Sequence, residues 1–206
     1  MERLFITGIG TDVGKTIASA IITEALQADY WKPVQAGLEP TTDTGTVRRL
    51  VQNPVSKFWP ERFRLQMPAS PHAAAAAEGI QLHLADFQLP DTTNHLVVEG
   101  AGGLLVPLAP GFLIADLLQQ FGLEAVVVSR NYLGSINHTL LTLEALQLRG
   151  IRVRGLLFNG EPNPATEDFI SQHTDLPIMP RLRPEQEVSA EVVSRYAAEF
   201  REWFSK

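Results

Sequence analysis

The 206-residue chain predicts a doubly wound α/β fold, a mostly parallel sheet with helices on both faces. Three observations carry that expectation. Short, wholly apolar runs recur along the chain, as strands buried on both faces require. Stretches with helical spacing of apolar residues separate them, which lets successive strands run the same way. The first apolar run also leads straight into a glycine-rich segment that opens the first of these helices.

Taken in order, Leu4-Phe5-Ile6 reads as the first buried strand. Thr16 to Ala28 reads as a helix whose apolar face is Ile17, Ile21, Ile22, Ala25 and Leu26. Tyr30 to Val34 reads as a second strand, with Pro33 marking its end. Leu96-Val97-Val98 and the β-branched run Ala125-Val126-Val127-Val128 are further strands, as is Val153 to Phe158. Ser135 to Leu148 and Val188 to Trp203 have helical spacing. Glu39 to Pro90 is the least regular region and reads as loops and short helices, one of them built on Ala73–Ala77. The whole chain, 1–206, is expected to form a single domain with one good core.

Composition narrows the function. Apolar residues make up 45% and charged residues 19%, the usual balance of a soluble globular protein. The net charge of −6 argues against a nucleic-acid partner, so any anionic substrate must be met by a local positive site. The absence of cysteine rules out disulfides, thiol nucleophiles and cysteine-ligated zinc. No segment approaches the roughly 18 consecutive apolar residues of a spanning helix, and the first residues lack signal-peptide features. The expected location is the cytoplasm, with no membrane partner.

The strongest chemical signal is Gly8-Ile9-Gly10-Thr11-Asp12-Val13-Gly14-Lys15-Thr16, lying between a strand and a helix. Backbone N–H groups of such a loop cradle phosphates, and the helix N-terminus adds partial positive charge. Lys15 would reach the β- and γ-phosphates, and Thr16 would offer its hydroxyl to Mg²⁺. Five residues separate Gly8 from Gly14, one more than in the common pattern. The second signal, Glu99-Gly100-Ala101-Gly102-Gly103, follows a strand; its carboxylate suits Mg²⁺ and its glycines admit close approach of backbone to a ligand. The third is Lys32, at the end of the second strand, where it would face the same crevice as Lys15. Together these define a P-loop nucleotide-binding protein.

Other residues admit two readings each. Asp43 is a metal ligand or a turn aspartate among threonines. His72, in Ser70-Pro71-His72, is a base or a helix-start residue, the latter favoured. Asn159, ahead of Gly160, offers adenine a donor and an acceptor side by side, or simply makes a turn. The segment Leu133-Gly134-Ser135-Ile136-Asn137-His138 opens a helix that would hold a carboxylate, or be capped by Ser135.

Beyond this point the chain resembles the dethiobiotin synthetases. The resemblance runs in order through almost the whole chain: Thr7–Thr16, Lys32-Pro33-Val34, Ser70-Pro71-His72, Glu99–Gly103, Leu133-Gly134 with Ile136-Asn137-His138, and Asn159. It implies an ATP- and Mg²⁺-dependent cyclo-ligase of biotin biosynthesis. From 7,8-diaminononanoate and CO₂ it would form a carbamate, then a carbamic–phosphoric anhydride, and then close the ureido ring with release of ADP and phosphate. It further implies that Thr11, Lys15 and Lys32 surround the carbamate and the transferring phosphoryl group. Thr16, Asp43 and Glu99 would hold Mg²⁺. Asp12, Val13, Gly14, Lys15, Thr16 and Ile17, with Glu99, Gly100, Ala101 and Gly102, would line the nucleotide. Asn159, Gly160, Pro180, Arg181, Leu182 and Glu187 would lie toward its base and ribose, Glu185 being the other acid in that stretch. The resemblance also implies a homodimer, with the substrate carboxylate held by Leu133, Gly134, Ser135 and Asn137 across the interface.

One departure concerns the substrate. Where the family often carries a hydroxyl after Lys-Pro-Val, this chain has Ala36, so the backbone or Gln35 would have to replace it. Two rival readings remain. An amide-forming ligase of the cobyrinate kind would usually need a glutaminase domain with a cysteine, which this chain lacks. A switch ATPase of the partition or septum-site kind would carry an extra lysine early in the loop, and Gly8 to Gly14 contains none.

Overall fold

A computed structural model describes all 206 residues, Met1–Lys206. The elements run β1 (Arg3–Gly8), α1 (Lys15–Leu26), β2 (Asp29–Trp31), β3 (Val34–Ala36), α2 (Asp43–Leu50), β4 (Phe58–Trp59), β5 (Phe63–Leu65) and α3 (Pro71–Ala77). They continue as β6 (Leu96–Glu99), β7 (Pro107–Ala109), β8 (Phe112–Leu113), α4 (Ile114–Phe121), β9 (Glu124–Arg130), α5 (Ser135–Leu148), β10 (Val153–Asn159), α6 (Pro164–Thr174) and α7 (Ala190–Phe204). Six strands form the central sheet in the order β10-β9-β1-β6-β2-β4, and every pairing in it is parallel.

Alternation along the strands divides the interior into two cores. Leu4, Ile6, Val97, Val126, Val128 and Leu157 point to the face covered by α1 and α7. Phe5, Leu96, Val98, Ala125, Val127, Leu156 and Phe158 point to the other face, where α3, α4, α5 and α6 contribute their buried side chains. The period of two thus gives each strand one set of side chains for each layer. No helix is long and apolar enough to cross a membrane.

The stretch Tyr30 to Val34 corrects the sequence reading: it is not one strand. Pro33 has no N–H for a ladder, and its carbonyl instead accepts from the amides of Arg62 and Phe63 at 2.9 and 3.2 Å. The chain therefore leaves the main sheet after Trp31, and β3 pairs with β5 in a separate two-stranded sheet. Between 39 and 90 the short helices are α2 and α3, and the two-residue strand β4 extends the main sheet's edge.

The functional consequence of the topology lies at one edge of the sheet. The glycine loop follows β1, Lys32 follows β2, Glu99 ends β6 and Asn159 ends β10. All four positions are at carboxyl ends of parallel strands, where open α/β sheets bind their ligands.

Candidate active site at the carboxyl edge of the sheet

A cavity of about 790 Å³ opens at this edge, and its lining includes Thr11, Lys15, Thr16, Lys32, Asp43 and Glu99. Gly14 is the N-cap of α1 with φ 101°, a conformation that favours glycine, and a Cβ there would run into the Asn159 amide. That close approach lets Asn159 Nδ2 donate to the Val13 carbonyl at 2.8 Å, tying the end of β10 to the loop.

Lys15 is 7% exposed, and its ammonium donates to the Gly10 carbonyl at 2.8 Å, across the mouth of the loop. Burial lowers its pKa to about 8, against the opposing pull of Glu99. Lys32, buried between Asp43 Oδ2 at 2.7 Å and Glu99 Oε1 at 3.2 Å, also donates to the Gly100 carbonyl at 3.2 Å. Burial works against its charge, but the two carboxylates outweigh that and hold its pKa above the usual lysine value. Burial likewise opposes ionisation of Asp43, and Lys32 more than compensates, so that carboxyl sits below its ordinary value.

Thr16, in the first turn of α1, lies within hydrogen-bond reach of both acids: its Oγ1 is 2.9 Å from Asp43 Oδ1 and 2.8 Å from Glu99 Oε1, and its single proton serves one of them at a time. One hydroxyl and two carboxylates from three separate elements thus converge. This all-oxygen donor set fits Mg²⁺, a hard cation that takes oxygen ligands and keeps water and phosphate in its remaining positions. Two further side chains shape the site: Tyr30, which has no role in the sequence reading, and Gln35, which enters it only as a replacement for the hydroxyl missing at Ala36. Tyr30 donates to Glu99 Oε2 at 2.8 Å, and Gln35 accepts from the Asp43 amide at 3.0 Å while donating to the Gly37 carbonyl at 3.0 Å. No sequence pattern marks the contacts to the two acids, because Tyr30 and Glu99, like Gln35 and Asp43, lie on different elements. With both ends engaged, Gln35 is committed to the loop around Ala36. Ser70, beside Pro71, lines the same cavity as Ala36.

The remaining predicted residues fall in two groups. Asn159, Gly160 and Leu182 are knitted together: the Gly160 amide donates to Leu182 O at 2.8 Å and the Leu182 amide to Phe158 O at 3.1 Å. Arg181, next to Pro180, donates to the Gly160 carbonyl at 3.2 Å and pairs with Glu167. Glu185 is occupied by Tyr196 and Arg195 at 2.7 and 2.5 Å, whereas Glu187 is exposed. In the second group, Leu133, Gly134 and Asn137 are exposed, and Gly134 caps α5 with φ 101°. Ser135 is buried, its hydroxyl without a partner. None of these four lines the main cavity of its own chain. His72 is exposed and does not line it either.

A phosphate loop between strand and helix, a lysine and threonine at the helix start, and an acid from the adjacent strand define a P-loop nucleotide-hydrolase fold and site. Among solved structures, a ParA family ATPase from Chlorobium tepidum is similar with a TM-score of 0.62 at 12% identity, covering 98% of each chain. The septum site-determining protein MinD from Pyrococcus horikoshii is similar with a TM-score of 0.58 at 12% identity, covering 97% of this chain and 96% of that one. At such identities the likeness concerns the fold alone. An AAA-domain family model matches residues 2–192. The ATP-dependent dethiobiotin synthetase BioD of Cytophaga hutchinsonii is 52% identical over 206 residues, covering 99% of this chain and 100% of the relative. That of Christiangramia forsetii is 48% identical over 200 residues, covering 97% and 96%. The chain belongs to this AAA-domain family and, within it, to the ATP-dependent dethiobiotin synthetases.

Proposed function

We propose that the chain acts, as one unit spanning residues 1–206, as a Mg²⁺-dependent cyclo-ligase that converts 7,8-diaminononanoate, CO₂ and ATP into dethiobiotin, ADP and phosphate. The observation that carries this reading is the convergence of Lys15, Thr16, Lys32, Asp43 and Glu99 in one cavity. Such a site offers cations and oxygen ligands but no activated side-chain nucleophile. It suits a reaction in which one substrate attacks another and the protein positions them and stabilises charge.

An amine of the substrate would capture CO₂, losing a proton to give the carbamate. Thr11, at the rim of the glycine loop, and Lys32, on the cavity floor, would hold the carbamate in line with the γ-phosphate. Lys15 would bind the β- and γ-phosphates, its charge strengthened by burial. A carbamate oxygen bonds to the γ-phosphorus as ADP leaves, the second amine attacks the carbamoyl carbon, and phosphate departs as the ring closes. Mg²⁺, held by Thr16, Asp43 and Glu99, would neutralise charge on the transferring phosphoryl oxygens. Asp12 to Ile17 and Glu99 to Gly102 would line the nucleotide, with Asn159, Gly160 and Pro180–Leu182 at its base and Glu187 near its ribose. Ala36 would lie against the substrate. Leu133, Gly134, Ser135 and Asn137 of a second copy would hold the substrate carboxylate, and the exposure of Leu133, Gly134 and Asn137 at the start of α5 supports that assignment.

The decisive experiment measures phosphate release from ATP and Mg²⁺, with and without 7,8-diaminononanoate and bicarbonate, alongside mass spectrometry of the product. Release that requires both co-substrates, with the mass of the cyclic urea, is the expected result. Release indifferent to them would return the phosphoryl acceptor to unknown.

A further inference from the structure

Glu99 is 1% exposed, yet both of its oxygens are committed. Oε1 faces Thr16 at 2.8 Å and Lys32 at 3.2 Å, and Oε2 accepts from the Tyr30 hydroxyl at 2.8 Å. Tyr30 is wholly buried in β2, two residues before Lys32, and its ring lies 6.4 Å from that of Phe58 on the edge strand β4. The parallel register pairs Tyr30 with Val97, so the phenol reaches along the sheet to the carboxylate two residues further on. The ring alone would fill this part of the core; the hydroxyl adds only its hydrogen bond.

A carboxylate on a terminal sp²–sp³ torsion has a broad rotational well, so its own rotamer does little to fix which oxygen faces the cavity. A donor on one oxygen removes that freedom. We infer that Tyr30 is a positioning residue: by holding Oε2 inside the core it presents Glu99 Oε1 to Thr16, Lys32 and the divalent cation. This rests on the reading of Glu99 as a holder of that cation. Partners behind a ligand typically alter metal affinity 10- to 100-fold when removed.

The test uses Mn²⁺ as the probe, titrated against the full-length protein with ADP present and followed by electron paramagnetic resonance. Y30F should weaken Mn²⁺ binding about tenfold, while ADP binding without metal stays within twofold of the parent. F58L, which disturbs the packing of the Tyr30 ring and leaves its hydroxyl, should lower Tm and keep Mn²⁺ affinity. E99Q should weaken Mn²⁺ binding on its own, and adding Y30F to E99Q should cost little more. Y30F binding Mn²⁺ as the parent does would overturn the proposal. So would F58L matching its loss, or Y30F exerting its full effect in the E99Q background; should Y30F fail to fold, Y30L, which also lacks the hydroxyl, takes its place in both comparisons. E99Q with unaltered Mn²⁺ binding would instead overturn the metal assignment of Glu99 itself.

Discussion

Charge is buried at one end of the proposed substrate path, and apolar surface is exposed at the other. Around the glycine loop, Lys15, Lys32 and Glu99 are almost wholly removed from solvent and are bonded to groups of the same chain. Around the start of α5, Leu133 protrudes fully, and Tyr132, Leu105 and Leu141 are exposed nearby. A smaller hollow of about 370 Å³ joins the two, lined by Thr11 from the loop and by His138, Leu141 and Thr142 from α5. The proposed phosphoryl end thus draws its side chains from one chain, whereas the α5 end is exposed apolar surface, which is what the proposed dimer would cover. Each of the following changes should damage one end and spare the other.

The largest effect is expected at Lys15. Lys15→Gln keeps length and polarity but removes the charge, and kcat should fall on the order of 10³-fold. Turnover surviving within a few-fold would remove Lys15 from the phosphate site. Lys32→Leu comes next, with kcat down by about 10²–10³ and nucleotide affinity changed far less, because the role proposed for Lys32 is on the transition state. The same change leaves Glu99 buried beside Asp43 without its cation, so Tm should fall as well. Unchanged kcat would reduce Lys32 to a structural counter-ion.

The pH dependence of nucleotide binding sharpens the contrast from the phosphoryl end. The Lys15 ammonium, lowered by burial to about 8, is the form that attracts phosphates. ADP affinity should hold below pH 8 and fall above it by up to about tenfold per pH unit as the proton is lost. Calorimetry from pH 7 to 9.5 would show this, and Lys15→Arg should flatten the profile; a flat parent profile would refute it. For the ligand-free chain the sign reverses. Between the folded value of about 8 and the unfolded value of 10.5 the unfolded state binds more protons, so this group's contribution to stability rises with pH.

At the other end, Leu141→Asp places a charge on the exposed α5 face. It should convert a dimer to monomer in sedimentation and raise KM for the diamino acid about tenfold, with ADP affinity unchanged. An unaltered sedimentation coefficient and KM would detach this face from assembly and from the substrate.

The same contrast explains what was legible in the sequence. Strong periodicity and a glycine loop announce themselves locally, so β1, α1, α5 and the residues Lys15 and Thr16 can be read without coordinates. Helix α6 buries only Ile170, and α4 is a single short stretch of eight residues, so neither offers a long apolar period. The contacts that Tyr30 and Gln35 make to the two acids are illegible for a different reason. Their roles consist of contacts to Glu99, 69 positions away, and to the Asp43 backbone, and neither contact leaves a trace in spacing. The break at Pro33 is half legible: the proline marks an end to the strand, but spacing alone runs that strand on to Val34, where the chain has already left β2 and begins the separate two-stranded sheet.

The smallest expected effect separates two roles in one side chain. Asn159 is proposed as an adenine contact, yet its amide N–H group also braces the glycine loop through the Val13 carbonyl. Asn159→Ala should lower the preference for ATP over other triphosphates by about tenfold, the worth of one or two lost hydrogen bonds. Asn159→Asp keeps the shape and the acceptor but turns a carboxylate toward Val13 O, so it should weaken binding of every triphosphate through the loop. If Asn159→Ala instead weakens all triphosphates equally and leaves their ratio unchanged, the side chain is a brace alone. Base recognition would then fall to the backbone of Gly160 and Pro180–Leu182, which the ladder between Gly160 and Leu182 already holds in place.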